Sequence, residues 1–263
     1  MAQDVYTHGH HESVLRSHRW RTAENSAAYL LSDLTPGAAV LDVGCGPGTI
    51  THDFAERVAP GHVTGVDNAA EIVEQASAGA PANTAFQVAD VYALPFADGS
   101  FDVVHAHQVL QHLTDPVAAL REMRRVCRPG GIVAARDADY AAMTWYPQLP
   151  ALTDWLDLYH RVARGNDAEP DAGRRLLGWA REAGFGEVDA TASAWCFATA
   201  EERTWWGGLW ADRVRNSAFA AQAVERGLAT GAELERLSAG WREWIDADAA
   251  WFAVLNGEIR CHR

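Results

Sequence analysis

A glycine-rich turn with the spacing Asp42-x-Gly44-x-Gly46-x-Gly48 is the segment of the sequence best suited to binding a ligand. It follows a short apolar run and precedes a helical pattern that starts at Thr49. Because glycine has no Cβ, such a turn can be tight and can let the backbone approach a ligand closely. A dinucleotide-binding turn has the different spacing G-x-G-x-x-G, which leaves room for a pyrophosphate. Considered by itself, the segment also fits a glycine turn of some other α/β protein.

Acidic residues stand where the next two strand candidates end. Asp67 closes the run His62–Val66, and it lies about 20 residues beyond the glycine turn, where a carboxylate can accept hydrogen bonds from both hydroxyls of a ribose. Asp90 follows the run Thr84–Val88 in the same way. An aspartate at a strand end is also a common cap, so only the combination with the glycine turn favours a ligand role.

Two further segments continue the pattern. His107 and Gln108 follow the strand candidate Phe101–Ala106. The helical stretch at 116–127 opens with an Asp-Pro pair and closes at Arg-Pro-Gly-Gly, which are start and stop signals, and it leads to the strand candidate Ile132–Ala135.

In this order and at this spacing, the five segments resemble the motifs of class I S-adenosylmethionine (SAM)-dependent methyltransferases. The likeness is greatest to the ubiquinone/menaquinone-biosynthesis-like group of small-molecule methyltransferases; it covers about residues 36–140, with weaker support to 198 and at the last strand. It implies SAM as cofactor, S-adenosylhomocysteine (SAH) as product, a ribose bound by Asp67 and an adenine amino group bound by Asp90. The residues assigned to the cofactor are Asp42, Gly44, Cys45, Gly46, Gly48, Thr49, Asp67, Asn68, Asp90, Val91, His107, Gln108 and Arg16.

The arginine assignment comes from the segment before the glycine turn, which often covers the methionine end of the cofactor in this family. Arg16, Arg19 or Arg21 can pair with the cofactor carboxylate, and each also fits an ordinary surface position. The same segment carries His8, His10 and His11. Histidines on one short segment, without acidic or cysteine partners elsewhere, rarely make a specific site, so no metal is predicted and a lid role is favoured.

His112 and Asp137 are the candidates for a catalytic base. A base is needed only if the acceptor atom carries a proton, because methyl transfer otherwise requires mainly orientation. His112 follows the fourth strand and Asp137 ends the fifth, so both belong at the edge where ligands bind in such sheets. A packed histidine and a strand-end cap are the alternatives.

The alternation of strand and helix patterns predicts a doubly wound, mostly parallel, seven-stranded Rossmann-like α/β sheet with a helical N-terminal cap and helical insertions. Capping boxes are expected at Thr199 and Thr230, each followed three residues later by glutamate. The predicted divisions are a cap (1–35), a SAM-binding core (36–140), an insertion (141–173), core (174–198), a helical lid insertion (199–249) and a last core strand (250–263).

Composition narrows the choice of function. The 263 residues have a formal net charge of −13, which is unsuited to binding nucleic acid or an anionic membrane surface. All 22 basic residues are arginine, so a P-loop lysine and Schiff-base catalysis are excluded. The N-terminus lacks a secretory pattern, and the four cysteines are widely spaced; both favour a cytoplasmic protein with reduced thiols.

The sequence thus predicts methyl transfer to an O, N or C atom of a small, largely apolar or aromatic molecule. Eleven tryptophans favour an aromatic acceptor pocket, for which Trp145, Trp205, Trp206 and Trp210 are the candidates. The alternatives are a SAM-fold protein that binds the cofactor for another reaction or for regulation, and, less well matched, a nicotinamide-dependent oxidoreductase. The acceptor, the methylated atom and the choice between monomer and homodimer are not specified by the sequence.

Overall fold

The computed structural model describes residues 4–9 and 11–263, and its centre is a mixed β-sheet. The strands in this part of the chain are β1 Ala39–Val43, β2 His62–Asp67, β3 Thr84–Val88, β4 Phe101–His107, β5 Cys127–Ala138, β6 Thr144–Tyr146, β7 Glu187–Phe197 and β8 Trp251–His262.

The strand order is β3-β2-β1-β4-β5-β8, and β7 pairs with β8 along its whole length. Strands β1 to β5 run parallel, whereas β8 is antiparallel to β5 and β7. The predicted doubly wound, mostly parallel sheet is confirmed. The order reverses between β1 and β4, and a crevice for ligands is expected at such a switch point.

Helices flank the sheet and fill the predicted cap and insertions. They are α1 Glu12–Arg19, α2 Ala23–Ser26, α3 Thr49–Val58, α4 Ala70–Ser77, α5 Pro116–Val126, α6 Pro150–Arg164, α7 Leu176–Glu182, α8 Ala200–Asn216, α9 Ala218–Glu225 and α10 Gly231–Asp246. The capping boxes predicted at Thr199 and Thr230 are both formed, and they begin α8 and α10. Asp115 caps α5 as predicted, through a hydrogen bond from the Ala118 N–H. No helix in residues 4–9 and 11–263 is long and apolar enough to cross a membrane.

Two strands differ from the prediction. The fifth strand was expected at Ile132–Ala135, but β5 already begins at Cys127 and contains the presumed stop signal. The chain end provides the reason: the Gly130 N–H donates to the Arg263 carbonyl at 2.7 Å, and the Arg263 N–H donates to the Gly131 carbonyl at 3.1 Å. The short strand β6, in the predicted insertion, is an eighth strand that pairs with the start of β8.

The two insertions share a hydrophobic core of their own, beside the cores that cover the two faces of the sheet. This core, built around Trp155, Trp210 and Trp241, is called the second core below. Trp155 of α6 packs edge-on against Trp210 of α8 and Trp241 of α10, with ring centroids 4.5 and 4.9 Å apart. Phe252 of β8 closes this cluster from the sheet side. Edge-to-face aromatic pairs stabilise a core beyond the area that they bury, so α6, α8 and α10 form a firm wall above the end of the sheet.

Candidate active site

A cavity of about 200 Å³ lies at the carboxyl ends of β1, β2, β4 and β5, where the strand order reverses. One end is lined by the glycine turn and the residues after β2 and β3. The other end is lined by aromatic residues of the N-terminal segment, β7 and α8. The cavity therefore joins the predicted cofactor residues to part of the predicted aromatic pocket.

The glycine turn adopts backbone conformations that only glycine accommodates readily. Gly44, Gly46 and Gly48 have φ of 67°, 54° and 83°. A Cβ on Gly44 would lie 2.4 Å from a methyl group of Val109, so the turn packs tightly on the segment after β4. Gly44, Cys45, Gly46 and Thr49 line the cavity, whereas Gly48 is the N-cap residue of α3 and lies behind it.

Asp42 lies beneath this turn with both carboxylate oxygens engaged. Oδ1 is 2.8 Å from Nδ1 of His105, and Oδ2 accepts a hydrogen bond from the Thr51 hydroxyl at 2.6 Å. All three side chains are buried. Asp42 thus fixes β1, β4 and α3 around the turn, and it also borders the cavity.

Asp67 closes the cavity opposite the turn. Its Oδ2 accepts the Gly46 N–H at 3.1 Å and its Oδ1 accepts the Ala69 N–H at 3.1 Å. These bonds hold the carboxylate beside the glycine turn, where the sequence predicts a ribose ligand. Asn68 and Asp90 are exposed at the rim, and the Asp90 carboxylate accepts the Tyr92 N–H of its own turn at 2.9 Å. Val91 lines the same end.

His107 and Gln108 enter the middle of the cavity from the end of β4. Gln108 has φ of 52°, an uncommon conformation for a residue other than glycine, and such strain is concentrated at functional sites. Its Oε1 accepts a hydrogen bond from Nη2 of Arg21 at 2.5 Å. Arg21 lines the cavity, whereas Arg16 is exposed on the outer side of α1 and does not.

The two candidate bases have different positions. His112 lines the cavity; burial lowers its pKa to about 3, and the nearby Arg21 adds to this effect, so the ring is neutral at pH 7. Asp137 is fully buried and is not part of the cavity lining. Its Oδ1 accepts the Gln111 N–H at 3.1 Å, and burial raises its pKa to about 7. Asp137 therefore supports the loop that carries His112.

The aromatic end of the cavity is formed by residues from distant parts of the chain. They are Tyr6, His8, Trp20, Tyr140, Met143, Trp195, Trp205, Trp206 and Val254. Trp205 and Trp206 line the cavity as the sequence suggested, but Trp145 and Trp210 pack in the second core behind it.

Two of the N-terminal histidines, His8 and His11, have structural contacts: His8 lies beside Tyr159, and the His11 side chain accepts the Ser13 N–H at the start of α1. His8 is buried, with its ring stacked on Tyr159 at 5.3 Å and its Nε2 3.0 Å from the Tyr159 hydroxyl. His10 lies outside the described residues. Within 4–9 and 11–263, no group of three histidine, cysteine or acidic side chains is arranged to hold a metal ion.

Sequence reasoning missed Tyr140, Trp195 and Arg213 as lining residues. Tyr140 and Trp195 carry no local signal, since both lie in predicted core segments and reach the cavity only through the course of the chain after β5 and along β7. Arg213 had one: it continues the apolar stripe of Trp206, Leu209 and Trp210 at helical spacing, where a charge is unexpected.

Comparison with known proteins agrees with this geometry. A family model described as a methyltransferase domain matches residues 34–200. An uncharacterized methyltransferase of Schizosaccharomyces pombe is 35% identical over 270 residues, covering 98% of this chain and 96% of that protein. The ubiquinone/menaquinone biosynthesis C-methyltransferase of Bdellovibrio bacteriovorus is 42% identical over 100 residues, which are 37% of this chain and 43% of that protein.

A solved structure supports the fold. Phosphoethanolamine N-methyltransferase 2 of Haemonchus contortus, solved with phosphomonomethylethanolamine and SAH, superposes with a TM-score of 0.57 at 18% identity. The match covers 91% of this chain and 52% of that one. The β-sheet with its flanking helices is therefore an arrangement known from a methyltransferase.

The carboxylate of Asp67 is expected to contribute strongly to cofactor binding. A hydrogen bond to a charged acceptor is worth about 1.5–3 kcal/mol, so Asp67→Ala should weaken SAH binding roughly 10- to 150-fold in isothermal titration calorimetry. Asp67→Asn, which keeps the shape of the side chain, should lose less. Asp248→Ala, at an exposed position away from the cavity lining, is the control. Wild-type affinity in Asp67→Ala would show that the ribose is held elsewhere.

Proposed function

Since this chain belongs to the class I SAM-dependent methyltransferase family, we propose that it methylates a small aromatic or otherwise largely apolar molecule bound at the aromatic end of the cavity. The observation that carries this proposal is the continuity of that end with the glycine turn and Asp67. The acceptor chamber is lined by Trp195, Trp205 and Trp206, whose faces suit an aromatic ring or a sulfonium cation. The cofactor-binding roles predicted from the sequence are part of this proposal.

The cofactor residues fit the group that the family uses. The close approach allowed by Gly44 and Gly46 and the carboxylate of Asp67 suit a nucleoside, and Arg21 lies near the turn for a carboxylate at the methionine end. We assign this last role to Arg21 instead of Arg16, because Arg21 borders the cavity and Arg16 does not. When bound, SAM supplies a methyl group already activated by the sulfonium; the protein must orient the acceptor and exclude water.

The surroundings of the cavity favour a small acceptor. Tyr6 and His8 of the N-terminal segment line the aromatic end together with Trp205 and Trp206 of α8, and the ring of His8 packs edge-on against Trp210 of the same helix. The strongly negative chain also opposes a nucleic-acid substrate. The cysteines at the four positions are unpaired, and one of them, Cys196, is exposed; these thiols support a cytoplasmic location for the reaction.

Transfer of labelled methyl groups tests the acceptor class directly. The protein is incubated with SAM carrying a tritiated methyl group, together with either the low-mass filtrate of a cell lysate or the macromolecules retained by the filter. The label should move to a compound in the filtrate that extracts into an organic solvent, with SAH formed in equal amount. Label on retained protein or nucleic acid, or no transfer in either fraction, would contradict the proposal.

His112 is proposed to shape the acceptor chamber without removing a proton. With its pKa lowered to about 3 by burial, it is neutral in ordinary assays, but it holds a proton too weakly to take one from a hydroxyl. Its Nε2 already lies 3.0 Å from the Gln111 amide nitrogen. A general base contributes about 10²- to 10⁴-fold, so His112→Ala should lower kcat by less than about 10²-fold and leave the pH–rate profile between pH 5 and 9 unchanged. A larger loss, together with a lost pH inflection, would identify His112 as the base.

The N-terminal segment is proposed to be the part of the cover that moves. The predicted lid also included 199–249, but α8 and α10 are joined by the second core, whereas α1 contacts α8 mainly along one side. Opening of α1 would expose fewer apolar side chains, so this segment should open more readily. Hydrogen exchange with SAH should show increased protection in 11–21 and little change in α10. An equal change in the protection of residues 11–21 and of α10, or no change in either segment, would show that the N-terminal segment is not the moving part of the cover.

A further inference from the structure

Arg213 places a positive charge in the wall of the acceptor chamber. It projects from α8, is only 4% exposed and borders the cavity. Nη2 donates to the Ser13 carbonyl at 3.0 Å and to the Ser17 hydroxyl at 3.1 Å, while the buried Nε has no partner in the described structure. The guanidinium also lies 4.6 Å from the ring centroid of Trp210. Neutral groups thus position Arg213 but do not neutralise it.

The carboxylates that line the cavity are engaged elsewhere. Asp42, Asp67 and Asp90 accept the hydrogen bonds described above, and Asp4 accepts the Thr114 N–H at 2.8 Å. The ion pairs formed within the described residues do not include Arg213. The titratable groups that act on Arg213 are the hydroxyls of Tyr140, Tyr6 and Tyr159 and the guanidinium of Arg16, and burial raises the pKa of all three tyrosines, so none of these groups is an anion at pH 7. A buried guanidinium without a counter-charge is costly, so this arrangement suits a site completed by an anion.

A second guanidinium, that of Arg21, lies in the same cavity and is likewise free of carboxylate partners in the described structure. Their positions separate the two roles. Arg21 follows the C-terminal end of α1, where the Thr49 hydroxyl donates to the His18 carbonyl at 3.4 Å and thereby ties this end to the glycine turn. Arg213 instead contacts Ser13 and Ser17, further back along α1, and its guanidinium packs on the ring of Trp210. The cofactor carries one carboxylate at its methionine end, and that group is assigned to Arg21. Arg213 therefore has no anionic partner from the cofactor.

We propose that Arg213 is a specificity-determining residue that binds an anionic oxygen of the methyl acceptor, either a carboxylate or an ionised acidic hydroxyl on an aromatic molecule. This inference rests on the proposed function and adds a charge requirement to it. An acceptor of this class has an apolar body against Trp195, Trp205 and Trp206 and one negative group directed at α8. A neutral analogue of the same shape leaves the buried guanidinium unpaired and therefore binds more weakly.

The neighbouring histidines agree with this charge requirement. Burial lowers the pKa of His8, His107 and His112, so none of these three rings is a cation at pH 7 or a strong base. Burial also raises the pKa of Tyr6 to about 12 and keeps its hydroxyl protonated. Fixed positive charge in this chamber therefore comes from the arginines, and an acceptor that arrives ionised needs no proton removed there.

Binding of matched probes to the SAH-saturated protein tests the proposal without knowledge of the natural acceptor. Benzoate represents the carboxylate, 4-nitrophenolate the ionised hydroxyl and benzamide a neutral molecule of similar shape. Calorimetry should show that wild type prefers at least one of the anions to benzamide by about 10- to 150-fold, the range of a hydrogen bond to a charged group. Which anion is preferred distinguishes a carboxylate from a hydroxyl.

Variants assign the preference to Arg213. Arg213→Met should abolish it while leaving SAH affinity within about twofold of wild type, and Arg213→Lys should retain part of it because the charge remains. Ser17→Ala removes a contact of Arg213 but no charge, and it should keep the preference. Arg21→Met should instead weaken SAH binding.

Three outcomes overturn the inference: no anion preference in wild type, an unchanged preference in Arg213→Met, or a large loss of SAH affinity in Arg213→Met. The last would place Arg213 at the methionine end. If Arg213→Met fails to fold, wild type and Arg213→Lys still decide. The inference is wrong if wild type shows no preference for an anion, or if Arg213→Lys prefers the anion more strongly than wild type does. Failure of wild type to bind SAH would contradict the proposed function itself, which is a separate result.

Discussion

The buried contact between Asp42 and His105 is the interaction on which the cavity depends. The two residues face each other across the adjacent parallel strands β1 and β4, at matching positions in the register. Removing either partner leaves a buried polar group unsatisfied. A shift of one residue in the pairing of β1 with β4 would place the two side chains on opposite faces of the sheet. Their pairing therefore specifies the register at the switch point of the sheet. Thr51 extends this constraint to α3 through the second oxygen of Asp42.

The glycine turn positions the rest of the site through direct contacts with the segment after β4 and with the end of α1. The turn packs on Val109, and the same loop continues to His112, whose backbone neighbour Gln111 is held by buried Asp137. The end of α1 lies on the other side of the turn and brings Arg21 to Gln108. The cofactor end is thus built from local segments of the sheet, whereas the cover depends on contacts between residues far apart in the chain.

This difference explains how much the sequence could predict. The glycine turn, the positions of Asp67 and Asp90 and most strand bounds follow from local patterns, because each strand and its turn occupy one continuous segment. Arg16 could not be distinguished from Arg21 without the orientation of α1, whose outer face carries Glu12, Arg16 and Arg19 and whose inner face carries Ser13 and Ser17. Helical spacing predicts which residues share a face of α1 but not which face packs against α8, and Arg21 lies beyond the end of the helix.

The acceptor chamber was less predictable for a different physical reason. Tryptophans suit a core and a binding surface equally well, and which of them faces the cavity depends on how α6, α8 and α10 pack together. Trp145 and Trp210 pack in the second core, whereas β7 places Trp195 at the cavity. The guanidiniums of Arg21 and Arg136 lie 5.9 and 4.6 Å from the ring centroid of Trp195.

Charge is distributed unevenly along the cavity, and this asymmetry connects the fold to the chemistry. The carboxylates of Asp67 and Asp90 lie at the end of the cavity proposed for the nucleoside, whose hydroxyl and amino groups are hydrogen-bond donors. The guanidinium of Arg21 borders the middle of the cavity beside Gln108, and that of Arg213 borders the chamber from α8 beside Trp210. Because Arg213 donates to the backbone of α1 and packs on Trp210, closure of the N-terminal segment, in the lid proposed above, would also complete the electrostatic environment of the chamber. The proposed roles of orienting the acceptor, excluding water and selecting by charge thus all involve the same contact between α1 and α8.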